Sequence, residues 1–278
     1  MKIYPKVSAQ TYCEEFKEEL QKAEGIEIQF FDENGIMNRF NFEDEVRKNK
    51  TLYPQLKEVV IHPPLSNYNI EHIFFRDEEI FKEQLLKMKE LTEELDIEMS
   101  FVYHTYWPVR QFIASGLADR IKNQIKLIEG SRVTILIENL FMMLDEKDEC
   151  AALEVCKLLD HPNVRCCIDT THLHCKANIY KRDFLEMINA ELNPVDCEKY
   201  VKQIHFAAAL NNDGYISKKN HGRVHENIDT LREEYNWLKE FGMSDKHFIT
   251  EVGEEDYYSR ADQIKEIKML RMVAGIEN

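Results

Sequence analysis

Six residues that can bind metals or transfer protons recur along the sequence, each near the end of a short apolar run. They are His62, His104, Glu138, Asp169, His205 and Glu251. Successive members are 31 to 46 residues apart. Histidine and carboxylate side chains bind divalent metals and act as general acids and bases near neutral pH. A fold built from repeating units of this length would bring the six together, and His172 would add a seventh.

The apolar runs that carry these residues have the composition of β-strands. Eight such runs alternate with longer segments, such as residues 78–95, that have apolar residues at helical spacing and charges elsewhere. The predicted strands cover residues 2–8, 26–31, 58–64, 97–105, 133–139, 164–170, 201–207 and 247–253. No Gly/Pro/Ser-rich linker divides the chain, and no G-x-G-x-x-G pattern follows a strand. The pattern predicts one α/β domain over residues 1–278, a (β/α)8 TIM barrel, in preference to a doubly wound sheet.

The predicted fold indicates where the chemistry should lie. Active sites of (β/α)8 barrels are found at the carboxyl ends of the strands, which is where the six residues stand. Three of them, Glu138, Asp169 and Glu251, are carboxylates, and three negative charges are costly to gather in a barrel mouth unless a cation neutralises them. Mixed imidazole and carboxylate ligands suit Zn, Mn, Co or Fe better than Ca. We therefore expect a divalent metal site.

Charge and hydropathy restrict the partners. The formal net charge is -15, which raises the free-energy cost of approaching DNA or an anionic membrane. No segment approaches the roughly 20 consecutive apolar residues of a membrane helix, and the first residues contain no apolar run typical of a signal peptide. We expect a cytoplasmic protein with a small substrate and no membrane association.

The cysteines do not indicate a zinc or redox motif. There are seven of them, and no C-x-x-C pair occurs. Neighbouring Cys166 and Cys167 would face opposite sides of a strand, so they are poorly placed to share a metal. Cysteines in apolar runs of this kind are typical of reduced, buried thiols.

Short motifs at the strand ends resemble a known family. The segments "IHPP", "IEN", "DTTH", "IHF" and "TEVG" are similar to those of the xylose isomerase-like TIM barrels. This group includes sugar isomerases and epimerases and also the endonuclease IV type of abasic-site nuclease. The resemblance covers nearly the whole chain, and barrels of this group often form homo-oligomers through their outer helices.

The isomerase and epimerase branch implies one set of roles. Glu138, Asp169, His205 and Glu251 would hold one divalent metal, Mn, Co, Mg or Zn, and His172 would contact the substrate. Glu138 and Glu251 would also act as general base and acid in a proton transfer through an enediolate. The substrate would be a small sugar or sugar phosphate.

The nuclease branch implies a larger site. His62 and His104 would bind a second metal together with Glu138, and a third would use His172 and an Asp-x-His pair. The best-spaced candidate for that pair ends in His221, but Lys219 stands in the aspartate position, and a protonated lysine cannot bind a metal. This alternative is a phosphodiesterase with two or three zinc ions that acts on abasic DNA or another phosphoester.

Aromatic and basic residues near the strand ends are candidates for substrate contacts. Trp107, with Tyr103, Tyr106 and Phe206, would pack against the C–H surface of a sugar beside His104. Arg110 and Lys176 would bind a phosphate or carboxylate of the substrate. Asn139 would either orient Glu138 or cap the following helix.

Overall fold

A parallel β-barrel forms the centre of the protein. The computed structural model describes residues 1–8, 12–30, 41–64, 69–140, 149–206, 228–252, 256 and 258–276. Within them the strands are β1 (Lys2–Tyr4), β2 (Lys6–Val7), β3 (Gly25–Gln29), β4 (Glu58–His62), β5 (Glu98–His104), β6 (Val133–Glu138), β7 (Val164–Asp169), β8 (Val201–Phe206) and β9 (His247–Thr250). All their pairings are parallel, in the order β1-β9-β8-β7-β6-β5-β4-β3-β2.

The nine segments correspond to the eight predicted strands, because β1 and β2 are two parts of the first one. Pro5 separates them and cannot donate a hydrogen bond to the sheet. β1 pairs with β9 and β2 pairs with β3, so the first strand joins the two ends of the sheet. The prediction of a (β/α)8 barrel is therefore confirmed, while the extent of the domain over residues 1–278 stays a prediction.

Helices surround the barrel in the described residues. They are α1 (Glu14–Lys22), α2 (Glu43–Leu52), α3 (Ile70–Arg76), α4 (Glu78–Leu95), α5 (Val109–Ser115), α6 (Leu117–Ile125), a 3-10 turn (Lys126–Ile128), α7 (Ala151–Leu159), α8 (Thr170–Tyr180), α9 (Phe184–Glu191), α10 (Pro194–Tyr200), α11 (Ile228–Glu240) and α12 (Ala261–Val273). α4 shows why they pack there: Phe81, Leu85 and Met88 recur at three and four, and all are buried. None of the helices in these ranges is both long and apolar enough to cross a membrane.

Alternation along each strand separates two apolar regions. Outward-facing residues such as Phe101 and Cys166 pack with the helices in the main core. The inward residues Val60, Val102, Leu136 and Cys167 form a separate cluster inside the barrel. Full burial of each of the three aliphatic side chains in this cluster contributes about 1.5–3 kcal/mol to folding. Cys166 and Cys167 thus lie on opposite faces as predicted, and all seven cysteines are free thiols.

A register shift changes the direction of side chains in β8. Cys166 pairs with Val201 and Cys167 pairs with Gln203, so Lys202 is passed over. The Lys202 ammonium contacts the Glu58 carboxylate at 2.8 Å at the amino-terminal end of the barrel. Beyond the shift, Asp169 and His205 are register partners at the carboxyl end.

Candidate metal centre

The barrel brings the six predicted residues together at one end. His62, His104, Glu138 and Asp169 are the last residues of their strands, His205 is the penultimate residue of β8, and Glu251 follows β9. All six lie at the carboxyl end, as the fold requires. Five of them are at most 2% exposed, and the Glu251 side chain is 14% exposed. These six side chains are therefore largely shielded from water.

Four of these residues form the most complete ligand group. Glu138, Asp169, His205 and Glu251 each offer one ligand atom, and these atoms lie within 4.8 Å of one another. The Nδ1 atom of His205 is 3.2 Å from Oε1 of Glu138 and 2.9 Å from Oε2 of Glu251. Three carboxylates and one imidazole are a donor set that suits Mn, Co, Mg or Zn.

Asn139 holds Asp169 in this group. Its amide nitrogen donates to the carbonyl oxygen of Asp169 at 3.1 Å, and its amide oxygen accepts from the Asp169 N–H at 2.8 Å. Oδ1 of Asp169 accepts the N–H of His172 at 2.8 Å and so caps α8. Asn139 therefore bridges β6 and β7 instead of contacting the Glu138 carboxylate.

A second group shares Glu138. Nε2 of His104 lies 3.2 Å from Oε2 of Glu138, and Nε2 of His62 lies 3.6 Å from the same oxygen. These three residues also satisfy the spacing of a metal-binding group. Glu138 thus presents Oε1 to one set of ligands and Oε2 to the other.

Hydrogen bonding shows which ring nitrogen of His62 carries the proton. Nδ1 of His62 lies 3.1 Å from the carbonyl oxygen of Pro63, which can only accept, so this nitrogen carries the proton. Nε2 of His62 then turns a lone pair toward Oε2 of Glu138. That oxygen accepts no well-formed hydrogen bond from the residues that the structure describes. Acceptors that face each other in a buried site fit a bound cation between them.

The pKa values agree with a site built for positive charge. Burial lowers the pKa of His205, but Cys167 and the carboxylates of Glu27 and Glu138 raise it well above its ordinary value. Burial raises the pKa of Glu138, but His205 and His104 lower it well below its usual range. The carboxylate is therefore ionised. The pKa of His62 is lowered by burial first and then by the charge of Lys6, which favours the neutral ring that binds metals.

Three further residues reach the site from inside the barrel, and the sequence reasoning missed them. Lys6 contacts Glu251 at 2.5 Å and Glu27 at 3.0 Å. Glu27 contacts Nε2 of His205 at 2.8 Å and accepts from the Gln203 amide at 2.9 Å. Alternation along the strand indicates the position of Glu27. It lies between Ile26 and Ile28, which are both buried in the main core, so its side chain must face inward.

His172 lies beside the four-residue group. Its Nδ1 atom is 2.7 Å from the carbonyl oxygen of Asn139, 3.6 Å from Asp169 and 3.7 Å from Glu138. The bond to a carbonyl assigns the proton to Nδ1 and leaves Nε2 as the acceptor. His221 and Lys219 lie outside the described residues, so a third metal site stays a prediction.

Two of the proposed pocket aromatics belong to the core. Tyr103 is fully buried, stacks on Phe101 and donates its hydroxyl to Gln84 at 2.6 Å. Phe206 is fully buried and packs edge-on against Phe248. The prediction that Tyr103 and Phe206 line the pocket is wrong. Each precedes or follows an inward-facing histidine on its strand and therefore faces the helices.

Trp107 lies in the turn after β5 and is partly buried against Phe75, with ring centroids 5.2 Å apart. Glu71 of α3 accepts the N–H groups of Tyr106 and Trp107 at 2.8 and 2.9 Å and so holds this turn. Arg110 is exposed at the start of α5.

The second predicted phosphate ligand has a structural partner. Lys176 is buried, forms an ion pair with Glu191 at 2.7 Å and donates to the carbonyl oxygen of Glu149 at 2.6 Å. Its charge is therefore balanced within the fold. The expectation that Lys176 binds a substrate anion is wrong.

Comparisons with known proteins identify the family. A model described as Xylose isomerase-like TIM barrel matches residues 11–272. No curated protein matches the sequence. Among solved structures, 3-keto-D-glucoside 4-epimerase YcjR from E. coli is 15% identical, with a TM-score of 0.56 over 98% of this chain and 99% of that chain.

Two further structures are similar. D-psicose 3-epimerase from Clostridium cellulolyticum H10 is 14% identical, with a TM-score of 0.56 over 99% of this chain and 96% of that chain. A D-tagatose 3-epimerase-like protein is 21% identical, with a TM-score of 0.57 over 99% of both chains. These likenesses concern the fold, and the family model covers most of the sequence. The chain belongs to the xylose isomerase-like TIM barrel family.

Proposed function

We propose that this protein is a divalent-metal-dependent isomerase or epimerase that acts on a small sugar or sugar phosphate. The observation that carries the proposal is the group formed by Glu138, Asp169, His205 and Glu251, whose ligand atoms lie within 4.8 Å of one another. Fold relatives that are named as sugar epimerases support the substrate class. The net charge of -15 favours a small substrate over nucleic acid.

The charges of the site support the need for a metal. Glu27, Glu138, Asp169 and Glu251 surround the barrel mouth, and Lys6 supplies one positive charge among them. With the His205 ring neutral, as a metal ligand must be, three negative charges remain. A bound divalent cation, Mn, Co, Mg or Zn, would balance two of them, polarise the carbonyl of a substrate and stabilise negative charge that develops on its oxygen.

The protein residues then have separate tasks. Glu138 and Glu251 approach His205 from two directions, at 3.2 and 2.9 Å from its Nδ1 atom. In the proposed reaction these carboxylates take and return the proton on the carbon next to the carbonyl, and the substrate passes through an enediolate. His172, with Nδ1 committed to Asn139, turns Nε2 to a substrate hydroxyl. Trp107 would pack against the sugar, and Arg110 would meet a phosphate.

A second candidate function is a phosphodiesterase with two or three zinc ions that acts on abasic DNA or another phosphoester. His62, His104 and Glu138 favour it, because they form a second group with the spacing of a metal site. Two metals that share one carboxylate are the arrangement of many phosphoester hydrolases.

The proposed reaction is tested by carbon-bound hydrogen exchange in D2O. The protein, loaded with Mn2+, is incubated with a panel of ketoses, aldoses and their phosphates, and NMR measures deuterium at the carbon next to each carbonyl. We expect deuterium in at least one sugar and none with the Asp169→Asn variant. Exchange in no sugar, together with cleavage of an abasic oligonucleotide or a phosphodiester, would support the second function.

A further inference from the structure

Two oppositely charged residues lie buried in the barrel directly beneath the metal centre. The side chains of Lys6 and Glu27 are 8% and 0% exposed, and Nζ of Lys6 lies 3.0 Å from Oε1 of Glu27. A buried ion pair contributes little to stability compared with apolar residues of the same size. The burial of this pair is therefore better explained by its other contacts. Each of the two residues also contacts a candidate metal ligand.

Glu27 contacts the ring nitrogen of His205 that faces away from the four-residue group. The ion pair with Lys6 keeps Glu27 an ionised carboxylate, which only accepts hydrogen bonds. Its Oε2 atom lies 2.8 Å from Nε2 of His205, so Nε2 carries the proton. Nδ1, which faces Glu138 and Glu251, is then the ring nitrogen that can release its proton and bind a metal. The Gln203 amide nitrogen lies 2.9 Å from the same Oε2 atom and 2.8 Å from Nε2 of His205. The ionised carboxylate can only accept, so it takes a hydrogen bond from each of the two nitrogens.

Lys6 has the matching contact on the other side. Its ammonium group lies 2.5 Å from Oε1 of Glu251. The second oxygen, Oε2, then points to Nδ1 of His205 at 2.9 Å. The Lys6–Glu27 pair therefore holds Nε2 of His205 and Oε1 of Glu251. Asn139 holds the backbone of Asp169.

We propose that Lys6 and Glu27 are positioning residues of the metal centre: Glu27 selects Nδ1 of His205 as a ligand, and Lys6 directs Oε2 of Glu251 to the same metal. This inference rests on the proposed function, since it requires that the four-residue group binds a metal. The geometry of this group then depends on an ion pair between β2 and β3. Residues that orient metal ligands typically change metal affinity 10- to 100-fold when replaced.

The test measures Mn2+ affinity without any substrate. Metal-stripped wild type and the variants Glu27→Gln and Lys6→Met are titrated with Mn2+, and the free ion is followed by electron paramagnetic resonance. We expect the dissociation constant to rise about 10- to 100-fold in each variant. Glu58→Gln is the matched control, because Glu58 is also a buried glutamate in contact with a lysine, but at the opposite end of the barrel. Its Mn2+ affinity should equal that of the wild type.

The double variant Lys6→Met/Glu27→Leu separates positioning from folding. It removes both charges, so neither is left buried without its partner, and circular dichroism reports whether it folds. We expect a folded protein with weakened Mn2+ binding and, after loading with Co2+, a visible absorption spectrum that differs from the wild type. Wild-type Mn2+ affinity in the double variant would overturn the inference, because the pair would then serve folding alone.

The remaining outcomes distinguish this inference from the proposed function. If the wild type binds Mn2+ and both single variants bind it as tightly as Glu58→Gln, the positioning role is wrong and the metal centre stands. If the wild type binds none of Mn2+, Co2+, Mg2+ and Zn2+, the metal-dependent function is wrong and the inference is overturned with it.

Discussion

Glu138 and His104 are register partners at the ends of neighbouring strands, and Oε2 of the carboxylate lies 3.2 Å from Nε2 of the imidazole. The other oxygen of Glu138 faces His205 at 3.2 Å. One carboxylate therefore faces two sets of ligands. The number of metals that it serves separates a mononuclear isomerase centre from a hydrolase centre with two or more metals.

His104→Gln distinguishes these two readings. We expect the variant to keep one metal per chain, because Asp169, His205 and Glu251 do not depend on His104. Elemental analysis of the wild type and the variant, purified side by side, measures the content. A fall from two metals to one would contradict the isomerase account and support the phosphoesterase.

Glu71→Ala should loosen the turn that carries Trp107. Glu71 accepts hydrogen bonds from Thr105, Tyr106 and Trp107 at 2.5 to 2.9 Å, and buried N–H groups that lose an acceptor cost about 1–3 kcal/mol. We expect a red shift of Trp107 emission and a loss of stability of this order. The chain has two tryptophans, so both measurements use a Trp237→Phe background, with Trp237→Phe alone as the control. Unchanged emission would show that Glu71 does not hold the turn.

Acid should destabilise the protein partly through Glu58. Burial raises the pKa of Glu58, but His247 and Lys202 lower it well below its ordinary value of 4.5. A lowered folded-state pKa means that the unfolded chain binds the proton first, so this stabilisation is present above about pH 4.5 and is lost as the pH falls below it. Urea unfolding between pH 6 and 3 should show a smaller loss for Glu58→Gln than for the wild type. Parallel curves would contradict the assignment.

Gly25 packs directly against the ring of Tyr4. A Cβ atom at this position would lie 2.4 to 2.7 Å from three ring atoms of Tyr4. We expect Gly25→Ala to lower the free energy of unfolding by about 1–3 kcal/mol, as overpacking usually does. In a Tyr4→Val background the same Gly25→Ala change should cost less, because the ring is absent. Thermal denaturation of both single variants and of the double variant checks this, and an equal cost of Gly25→Ala in the two backgrounds would show that the clash is not the cause.

Much of the barrel could be predicted from the sequence, because strand and helix periodicity is local. Polar residues at the ends of apolar runs can also be recognised in the sequence. His62, His104, Glu138, Asp169, His205 and Glu251 were found in this way. The same alternation places Tyr103 and Phe206 outside the pocket, since neighbours of an inward-facing histidine must face the helices. A residue next to a site residue in the sequence therefore need not belong to the site.

Other features depend on contacts between distant parts of the chain. Lys6 of β2 and Glu27 of β3 contact Glu251 and His205 only because the barrel closes between β1 and β9. Lys202 points into the barrel because of a register shift that no local sequence pattern predicts. Lys176 is neutralised by Glu191 from the next helix. Such pairings require the assembled fold.

The central claim is that Glu138, Asp169, His205 and Glu251 bind one divalent metal. Its most direct test is the metal content per chain of protein purified without chelators or a histidine tag, compared between wild type, Asp169→Asn and Asp183→Asn. Asp183 is the matched control, because it caps α9 as Asp169 caps α8 but is exposed. The account predicts one Mn, Co, Mg or Zn per chain in the wild type and in Asp183→Asn, and almost none in Asp169→Asn. Equal metal content in all three proteins, or none in the wild type, would contradict it.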